Sequence, residues 1–187
     1  MQALDALLNR VSVARLTEPA PDAAQRELML RAALRAPDHG QLRPWRFIEI
    51  EGAGLQALGE LFADALMRRD PAVAQAALDK ARNMPLRAPL LLVVVASPQA
   101  HPKVPRDEQI QSAACAAHAI LLAAHAQGVG AIWRTGEMAS DRHVAQSLGL
   151  SAEECILAFL YLGTPQGPLR VPQVLEPQAY LRRWTGR

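Results

Sequence analysis

The sequence predicts an α+β fold in which helices flank a central mixed β-sheet. In several stretches of the 187 residues, apolar side chains recur at helical spacing. Residues 89–97 and 155–163 are instead nearly continuous apolar runs, which is typical of strands that are buried on both faces. The predicted order is helix, helix, strand, helix, helix, strand, helix, strand, helix, strand. This order by itself gives a layered domain that is either α+β or α/β, and we favour α+β.

Length and composition limit the class of protein. A chain of 187 residues can bury one sizeable core, and 50% hydrophobic with 20% charged residues is a globular composition. The 20 basic and 18 acidic residues give a formal charge of +2, without a basic run or an interleaved aromatic stripe. That charge pattern argues against nucleic-acid binding. We expect a single domain over residues 1–187.

The first residues and the most apolar window argue against export and membrane insertion. The start, MQALDALLNR, carries Asp5 and lacks the basic region and apolar core of a secretory signal. The window over residues 113–126 holds two histidines and is shorter than the ~20 apolar residues that span a bilayer. Cys115 and Cys155 form neither a disulfide framework nor a metal-site spacing. We therefore expect a cytoplasmic protein without a metal site.

The first fifty residues carry two helix signals and one strand signal. Leucines at helical spacing predict a short first helix over residues 2–9. The stretch EPAPD breaks it, and Asp22 is expected to cap a second helix that runs to Pro37. The alternation in WRFIEIE, residues 45–51, predicts a half-buried strand.

The middle of the chain is mostly helical. Residues 52–70 return to helical spacing, and Pro71 marks the expected start of another helix that ends near Asn83. The longest predicted helix covers about residues 105–127, with Gly128 as the glycine that follows its C-terminus.

The last third combines short elements with a proline-rich tail. A short strand is predicted over residues 129–134, and Ser140 or Asp141 is expected to cap the next helix. Four prolines fall within 14 residues from Thr164 onward, which excludes a regular helix or a central strand there. We expect an extended tail over residues 164–187 that lies on another surface.

The stretch GAGLQA, residues 52–57, imitates the dinucleotide fingerprint G-x-G-x-x-A. In a Rossmann fold a parallel strand follows that helix closely and ends near an acidic residue. Here the next predicted strand begins only near residue 89, after two helices. We interpret these glycines as a turn.

The long helix within SAACAAHAILLAAHAQG is apolar on nearly every side, so it needs burial all round. Either the sheet and the other helices bury it within one subunit, or a second copy covers one side. We favour a homodimer. Cys115 and His118 lie three residues apart on this helix, and we interpret them as core residues because a reactive thiolate needs an electropositive, partly exposed setting.

Three polar segments are candidates for a ligand site. NRVSVAR places Arg10, Ser12 and Arg15 after the first helix, where guanidinium forks and a hydroxyl suit a phosphate. Arg10 is also the type of residue that the helix dipole favours at a C-terminus, and both interpretations stay open. RAPDHGQLRPW adds Arg35, His39 and Trp45.

The third segment, IWRTG, ends a buried strand with an aromatic ring, a charge and a hydroxyl side by side. Strand ends often hold ligands, although a solvated arginine at an ordinary strand end is the alternative. Together the three segments offer cations, hydroxyls and aromatic planes, with no evident nucleophile or general base. Such a set suits a ligand with a phosphate at one end and a planar ring at the other.

These segments, with three others, resemble the FMN-dependent nitroreductase family, and most closely its small YdjA-type branch. The likeness rests on NRVSVARLTEPAP, RAALRAPDHGQLRPWRF, DKARNMPLRAPLLLVVVA, KVPRDEQIQSAACA, AAHAQGVGAIWRTG and AFLYLGTPQ. They cover residues 3–166 in order. The resemblance implies the nitroreductase-like fold and a homodimer with FMN in two clefts at the subunit interface.

The resemblance also implies an activity. NAD(P)H would reduce the flavin at N5, and a nitroaromatic or quinone-like acceptor would then reoxidise it by a ping-pong mechanism with no side chain as catalyst. Three alternatives stay open. These are a flavin-storing dimer with little turnover, a dehalogenase or flavin-degrading enzyme on the same fold, and a cofactor-free structural dimer.

The residues that the resemblance assigns to ligands fall in four groups. The segment that holds the FMN phosphate and ribityl part is matched by Arg10, Val11 and Ser12. The positions that reach the partner's flavin are matched by Arg35 and His39. The strand end that closes on the FMN is matched by Trp133, Arg134 and Thr135. The turn associated with NAD(P) is matched by Ala123, Ala124, His125, Ala126, Gln127 and Gly128.

Two departures from the family pattern bear on the site. Val11 stands where many members have a second arginine, so it offers only its backbone. Asp38, Gln41 and Arg43 stand at the serine, asparagine and glutamine positions of the common loop. We expect altered hydrogen bonds at the ring edge, and a changed preference for substrate charge at Arg43.

Overall fold

The computed structural model describes residues 1–186, and in them helices cover both faces of a five-stranded sheet. The helices are α1 (Ala3–Asn9), α2 (Ala23–Ala33), α3 (Ala53–Arg69), α4 (Gln75–Arg82), α5 (Arg106–Ala126), α6 (Glu137–Ser140) and α7 (Arg142–Ser147). The strands are β1 (Leu16–Thr17), β2 (Trp45–Glu51), β3 (Leu90–Ala96), β4 (Gly130–Arg134) and β5 (Cys155–Pro165). Short 3-10 turns lie at His39–Gln41, Pro85–Arg87 and Pro177–Ala179.

The sheet is antiparallel in every pairing among these residues. Strand β5 pairs with β1, β3 and β4, and β2 pairs with β3. The α+β class is confirmed, whereas the expected mixed sheet is wrong in this detail. The continuous apolar runs of β3 and β5 arise because helices cover both faces, and such coverage buries an antiparallel strand as fully as a parallel one.

Alternate residues of β3 face two separate halves of the core. One half lies between the sheet and helices α2 and α5 and contains Leu90, Leu92 and Val94. The other half contains Leu91 and Val93 and packs against α3, α4 and α7. This alternation follows from the two-residue period of a strand.

Several helix ends lie where the sequence predicts them. The carboxylate of Asp22 accepts a 2.8 Å hydrogen bond from the backbone N–H of Gln25, so Asp22 caps α2. Asp141, one of the two residues considered, caps α7 by accepting from the Val144 N–H. Gly128 follows the C-terminus of α5 with a φ of 75°, a conformation that glycine adopts at little cost.

Other boundaries differ from the prediction. Helix α4 begins at Gln75 rather than Pro71, because the Asp70 carboxylate accepts from the Ala72 N–H at 2.9 Å and holds a turn there. Helix α2 ends at Ala33, before Pro37. Strand β1 and helix α6 have two and four residues, too few for a periodic signal in the sequence.

The turn interpretation of GAGLQA is confirmed. Gly52 has a φ of 55° and precedes α3 as its N-cap residue. The strands on either side of α3 and α4 are antiparallel neighbours, whereas a dinucleotide fingerprint requires parallel ones.

Helix α5 is buried mainly within its own subunit, between the sheet and α2. Four of its alanines are fully buried in the core, with Ile120 beside them: Ala113, Ala116, Ala117 and Ala124. Cys115 and His118 are exposed, so their interpretation as core residues is wrong for this chain. They lie on the stripe that faces away from the sheet. The homodimer remains a prediction.

The segment after β5 is extended, as predicted, apart from one 3-10 turn. Strand β5 runs on to Pro165, because Thr164 and Pro165 pair with β1. Beyond it, Val171 and Trp184 are 91% and 85% exposed. Residue 187 lies outside the described residues. No helix among residues 1–186 combines the length and the apolar character needed to cross a membrane.

One ion pair ties the edge strand β2 to the loop before β5. Arg46 donates to both carboxylate oxygens of Glu154, at 2.6 and 2.9 Å, and the backbone N–H of Ser151 donates to the same carboxylate. These hydrogen bonds, with Arg46 as the main cause, lower the pKa of Glu154 from 4.5 to about 2. The side chains of Arg46 and Glu154 are 38% and 11% exposed, so solvent screens part of the interaction.

We predict that Glu154→Gln lowers the free energy of unfolding by about 1–2 kcal/mol at pH 7. A carboxylate with a depressed pKa stabilises the fold above pH 4.5, and this contribution is lost as the pH falls toward 2. Urea titrations at several pH values should therefore show the variant and the wild type converging below pH 4.5. The control is Glu27→Gln in the exposed Arg31 pair. An equal loss at pH 7 and pH 2 would contradict the linkage.

We also predict that Gly59→Ala destabilises the fold by about 1–3 kcal/mol, measured as a lower urea midpoint. A Cβ at Gly59 would clash with the backbone carbonyl of Arg82, because α3 and α4 approach closely there. Gly54→Ala in the same helix is the matched control, since its added methyl meets only the end of the Ile50 side chain. Equal midpoints for the two variants would argue against the clash.

Candidate functional site

Strand β4 brings two of the three predicted polar segments together. The backbone N–H of Val13 donates to the Ala131 carbonyl at 2.9 Å, so residues 10–15 run along the open edge of β4. The Arg15 carbonyl accepts from the N–H of Gln166, just beyond β5, at 3.0 Å. The end of the first helix, β4 and the start of the tail therefore meet at one edge of the sheet.

A cavity of about 410 Å³ lies at this edge, and we call it the N-terminal cavity. Its polar lining includes the Ser12 hydroxyl and the guanidinium-bearing Arg15 and Arg170, while Ile132 of β4 supplies an apolar wall. No aspartate or glutamate lines it among residues 1–186. Two arginines and a hydroxyl without a competing carboxylate fit a phosphate group.

Arg10 does not line this cavity and is the C-cap residue of α1. It lines a narrow cavity of about 20 Å³ together with Val11, His125 and Gly128. Val11 lines both cavities and connects them. The Nε2 atom of His125 is buried and makes no hydrogen bond among the described residues. The predicted phosphate segment and the predicted NAD(P) turn are thus neighbours.

The turn predicted for NAD(P), residues 123–128, is largely occupied with its own hydrogen bonds. Ala124 is fully buried, and its carbonyl accepts from the Val129 N–H at 2.9 Å. The Gln127 side chain donates to the Ala123 carbonyl at 2.9 Å. Ala126 and Gly128 are exposed. Because the adjacent cavity has room for about one water, a dinucleotide would have to contact the outer surface of this turn.

Trp133, Arg134 and Thr135 line a second cavity, of about 360 Å³, which we call the β4-end cavity. Its other lining residues come from α3, the segment before β3, α6 and β5: Phe62, Met84, Arg87, Gly136, Met138, Phe159 and Tyr161. The walls are mainly aromatic and sulfur-containing side chains. Such walls suit a planar ring.

One hydrogen-bond donor of a charged side chain in the β4-end cavity has no acceptor. The Arg134 guanidinium lies 5.9 Å from the ring centroid of Tyr161, and its Nε atom is buried without a hydrogen-bond partner among residues 1–186. Burial raises the pKa of Tyr161, while the charges of Arg87 and Arg134 act in the opposite direction. A buried N–H without an acceptor is costly in a native fold. It is a donor that an acceptor group of a ligand would satisfy.

The third segment forms a tightly held loop. The two carboxylate oxygens of Asp38 accept from the backbone N–H groups of Leu42 and Arg43, at 3.2 and 2.7 Å. Gln41 and Arg43 have φ values of 53° and 51°, which side-chain-bearing residues rarely adopt. His39 Nδ1 lies 2.8 Å from a carboxylate oxygen of Glu108 at the start of α5.

Within one chain, this loop does not share a cavity with the other two segments. Arg35 lines a separate cavity of about 310 Å³, which we call the loop cavity, and His39 is exposed beside it. The structure therefore places Ser12 and Trp133–Thr135 in two separate cavities that both contact β4, with Arg10 in the narrow cavity beside the first, and leaves Arg35 and His39 on another surface. This separation is compatible with contacts to a partner's flavin, which stay a prediction.

Three residues of these cavities were missed in the sequence analysis. Arg87 follows Pro85 and precedes a buried strand, a position that could have been noticed in PLRAPLLLVVVA. Tyr161 interrupts an otherwise apolar strand with a phenol. Arg170 carries no local signal, because only the pairing of β5 with β1 brings the start of the tail to the site.

Comparison with known proteins identifies the family. The model of the nitroreductase family matches residues 7–164. The chain belongs to the nitroreductase family. The protein named "Putative NAD(P)H nitroreductase YdjA" from Escherichia coli (strain K12) is 45% identical over 166 residues, which are 89% of this chain and 90% of that protein. The "Putative NAD(P)H nitroreductase" of Haemophilus influenzae is 38% identical over 165 residues, 88% and 89% of the two chains.

Solved structures confirm the nitroreductase-like fold. The crystal structure of a nitroreductase-like family protein from Bacillus cereus superposes with a TM-score of 0.84 at 19% identity, over 100% of this chain and 97% of that one. A "putative nitroreductase in complex with FMN" from Desulfovibrio desulfuricans gives a TM-score of 0.74 at 22% identity, over 98% and 97%. These TM-scores establish the shared fold.

We predict that Asp38→Ala loosens the loop over residues 38–43. The backbone N–H groups of Leu42 and Arg43 lose their acceptor, so their amide hydrogens should exchange at least about tenfold faster, equivalent to the loss of one hydrogen bond. Hydrogen exchange measured by NMR tests this. Asp38→Asn keeps one carbonyl acceptor, so its exchange rates should lie between those of the wild type and Asp38→Ala. Unchanged protection in Asp38→Ala would show that the conformation is held by other contacts.

Proposed function

We propose that the chain is an NAD(P)H-dependent FMN oxidoreductase that reduces nitroaromatic or quinone-like acceptors. The observation that carries this proposal is the pair of cavities along β4, one cationic with a hydroxyl and the other walled by rings. Ile132 of the first and Arg134 of the second are two residues apart on one face of the strand, about 7 Å. A ligand with a phosphate end and a ring end would fill both.

The residues present fit FMN on chemical grounds. We infer that Arg10 and Ser12, with the backbone of Val11, hold the phosphate and ribityl part. Arg15 and Arg170 would add charge from the N-terminal cavity, which Ser12 also lines. Trp133, Arg134 and Thr135 would flank the ring. The buried Nε–H of Arg134 would then gain an acceptor among the polar atoms of the ring edge.

The proposed reaction balances as a two-electron transfer. Bound FMN supplies a carrier that accepts a hydride at N5. NAD(P)H loses that hydride to become NAD(P)⁺, and a nitro group that takes up two electrons and two protons becomes a nitroso group and releases water. A quinone would become a hydroquinone. The dinucleotide, through the outer surface of residues 123–128, and the acceptor would use the cleft in turn, which gives ping-pong kinetics.

In this proposal the protein positions the flavin and shields its ring from water, and no side chain serves as a catalyst. The aromatic walls of the β4-end cavity exclude water from the ring, and Arg87 and Arg134 place positive charge beside it. Positive charge near a flavin favours its reduced form, because reduction adds electron density to the ring.

We further propose that the active form is a homodimer. Apolar residues that one subunit leaves uncovered cluster on α1 and on the tail: Leu4 and Leu8 are 68% and 72% exposed. Exposed apolar patches mark interaction surfaces. A second copy would cover them and bring its Arg35 and His39 toward the cleft. Two free cysteines in the chain, Cys115 and Cys155, fit a cytoplasmic location.

The purified protein should be yellow, or become so with added FMN, and anaerobic NADH or NADPH should bleach the absorbance. Replacing Arg10 and Ser12 together by alanine should weaken FMN binding at least about tenfold, since charge-assisted hydrogen bonds contribute about 1.5–3 kcal/mol each. Fluorescence titration of FMN measures this. Arg31→Gln, in an exposed pair on α2, is the control.

The outcomes separate the alternatives. A colourless protein that does not bind added FMN would contradict the proposal and favour a structural dimer. A yellow protein that NADH and NADPH leave unbleached would indicate flavin storage. If the flavin is bleached, turnover of halogenated substrates or loss of the flavin itself, in place of nitro or quinone reduction, would indicate a different enzyme on this fold. A monomer at micromolar concentration would contradict the shared cleft.

A further inference from the structure

The histidine of the loop before β2 is held by a carboxylate from another element. His39 Nδ1 lies 2.8 Å from a carboxylate oxygen of Glu108, and the side chains are 59% and 47% exposed, so packing alone does not hold either one. Because a carboxylate only accepts, Nδ1 must carry a proton. In a neutral ring Nε2 is then an acceptor, and it makes no hydrogen bond among residues 1–186. Glu108 therefore sets the tautomer of the ring and restricts its direction.

Glu108 is itself firmly placed, because it lies in the first turn of α5, where the helix dipole favours an acidic side chain. The next residue, Gln109, is 1% exposed, and its amide oxygen accepts from the Gln99 N–H at 2.9 Å. Its amide nitrogen donates to the carbonyls of Gln99 and Val104, at 2.9 and 3.2 Å. A buried amide with these bonds made holds its surroundings in one arrangement. The start of α5 and residues 99–104 thus form one rigid unit.

This unit also holds the backbone of the loop that carries His39. The Gln99 side chain donates to the Leu42 carbonyl at 3.0 Å. The buried Val104 side chain lies beside Gly40, since a Cβ added at Gly40 would be 3.5 Å from it. The main chain on the C-terminal side of His39 is therefore fixed relative to α5, which leaves the direction of the imidazole ring to the carboxylate.

The pair of His39 and Glu108 matters more for orientation than for stability. Exposed pairs of this kind contribute little to the free energy of unfolding, because water screens both groups. Within residues 1–186 the carboxylate of Glu108 pairs with His39 alone. By contrast, the carboxylate of Asp64, which lies beside His143, is shared with Arg68. The contact of Glu108 is thus directed entirely at the imidazole ring.

We propose that Glu108 is a positioning residue, which holds the Nδ1–H of His39 and so presents Nε2 as a hydrogen-bond acceptor to the FMN of the partner subunit. This inference rests on the proposed function, in which His39 reaches the partner's flavin. FMN carries donors that suit such an acceptor, namely the imide N–H of its ring and the hydroxyls of its ribityl chain. Glu108 does not contact FMN and acts only through His39.

A double-mutant cycle on FMN affinity, measured by fluorescence titration, tests whether Glu108 acts through His39. Glu108→Ala should weaken FMN binding about three- to tenfold, the effect of one hydrogen bond. In a His39→Ala background the same change should have no further effect. Glu108→Gln keeps a carbonyl acceptor and should recover part of the loss. Asp107→Ala is the matched control, since Asp107 lies in the same helical turn and forms no ion pair among residues 1–186. Thermal unfolding verifies that each variant is folded.

The tautomer of His39 can be measured without FMN. At pH 8, where an ordinary imidazole is neutral, proton–nitrogen NMR distinguishes a proton on Nδ1 from one on Nε2. The His39 ring should carry its proton on Nδ1 in the wild type and show a mixture of both tautomers in Glu108→Ala. His143 is the internal reference, because its Nε2 lies 2.7 Å from Asp64 and should keep the proton in both proteins. His39→Ala assigns the signal.

The two proposals fail in different ways. Equal FMN affinities of the wild type and Glu108→Ala, with weaker binding when Arg10 and Ser12 are replaced, would overturn the positioning role but not the oxidoreductase. An equal effect of Glu108→Ala with and without His39 would also overturn that role, as would an unchanged tautomer of His39 in Glu108→Ala. A protein that has the Nδ1–H tautomer but binds no FMN would contradict the proposed function, and with it the role of Glu108 toward FMN.

Discussion

The rest of the structure depends on the central position of strand β5. It is buried on both faces and pairs with β1, β3 and β4, so it fixes where the chain's start and end meet. The N-terminal segment can cross beside it because two positions lack a side chain. A Cβ at Gly163 would collide with Pro89 and the Thr17 carbonyl, and a Cβ at Gly130 with Leu16. These two glycines therefore allow β1 to pack against β5 and β4, next to the residues that line the N-terminal cavity.

Local signals predicted most of the fold, whereas the site needed contacts between distant segments. Asp22 and Gly128 marked helix ends correctly because capping is decided within a few residues. The start of α4 was missed because the side chain of Asp70 competes for the backbone of the first turn. The approach of Arg170 to residues 12–15 follows from sheet pairing across the whole chain, and no pattern within the tail encodes it.

The apolar character of α5 correctly predicted burial but did not identify what covers the helix. Small alanines allow both the sheet and α2 to approach the helix, while its outer stripe with Cys115 and His118 stays exposed within one subunit. Uncovered apolar side chains are found instead on α1 and in the tail, at Leu8 and Val171 for example. Hydrophobicity along a helix reports the amount of burial, while exposure in the folded chain indicates which surface still lacks a partner.

The loop before β2 shows how a departure from a family pattern can be understood physically. Serine and asparagine side chains at these positions could donate to a ligand, but a carboxylate at Asp38 only accepts. Its oxygens turn inward to the N–H groups of Leu42 and Arg43, so the loop gains rigidity from its own backbone. The side chains of Arg35 and Arg43 line one cavity beside this loop. An aspartate at this position thus replaces a side-chain donor with an acceptor whose oxygens the loop's own amides occupy.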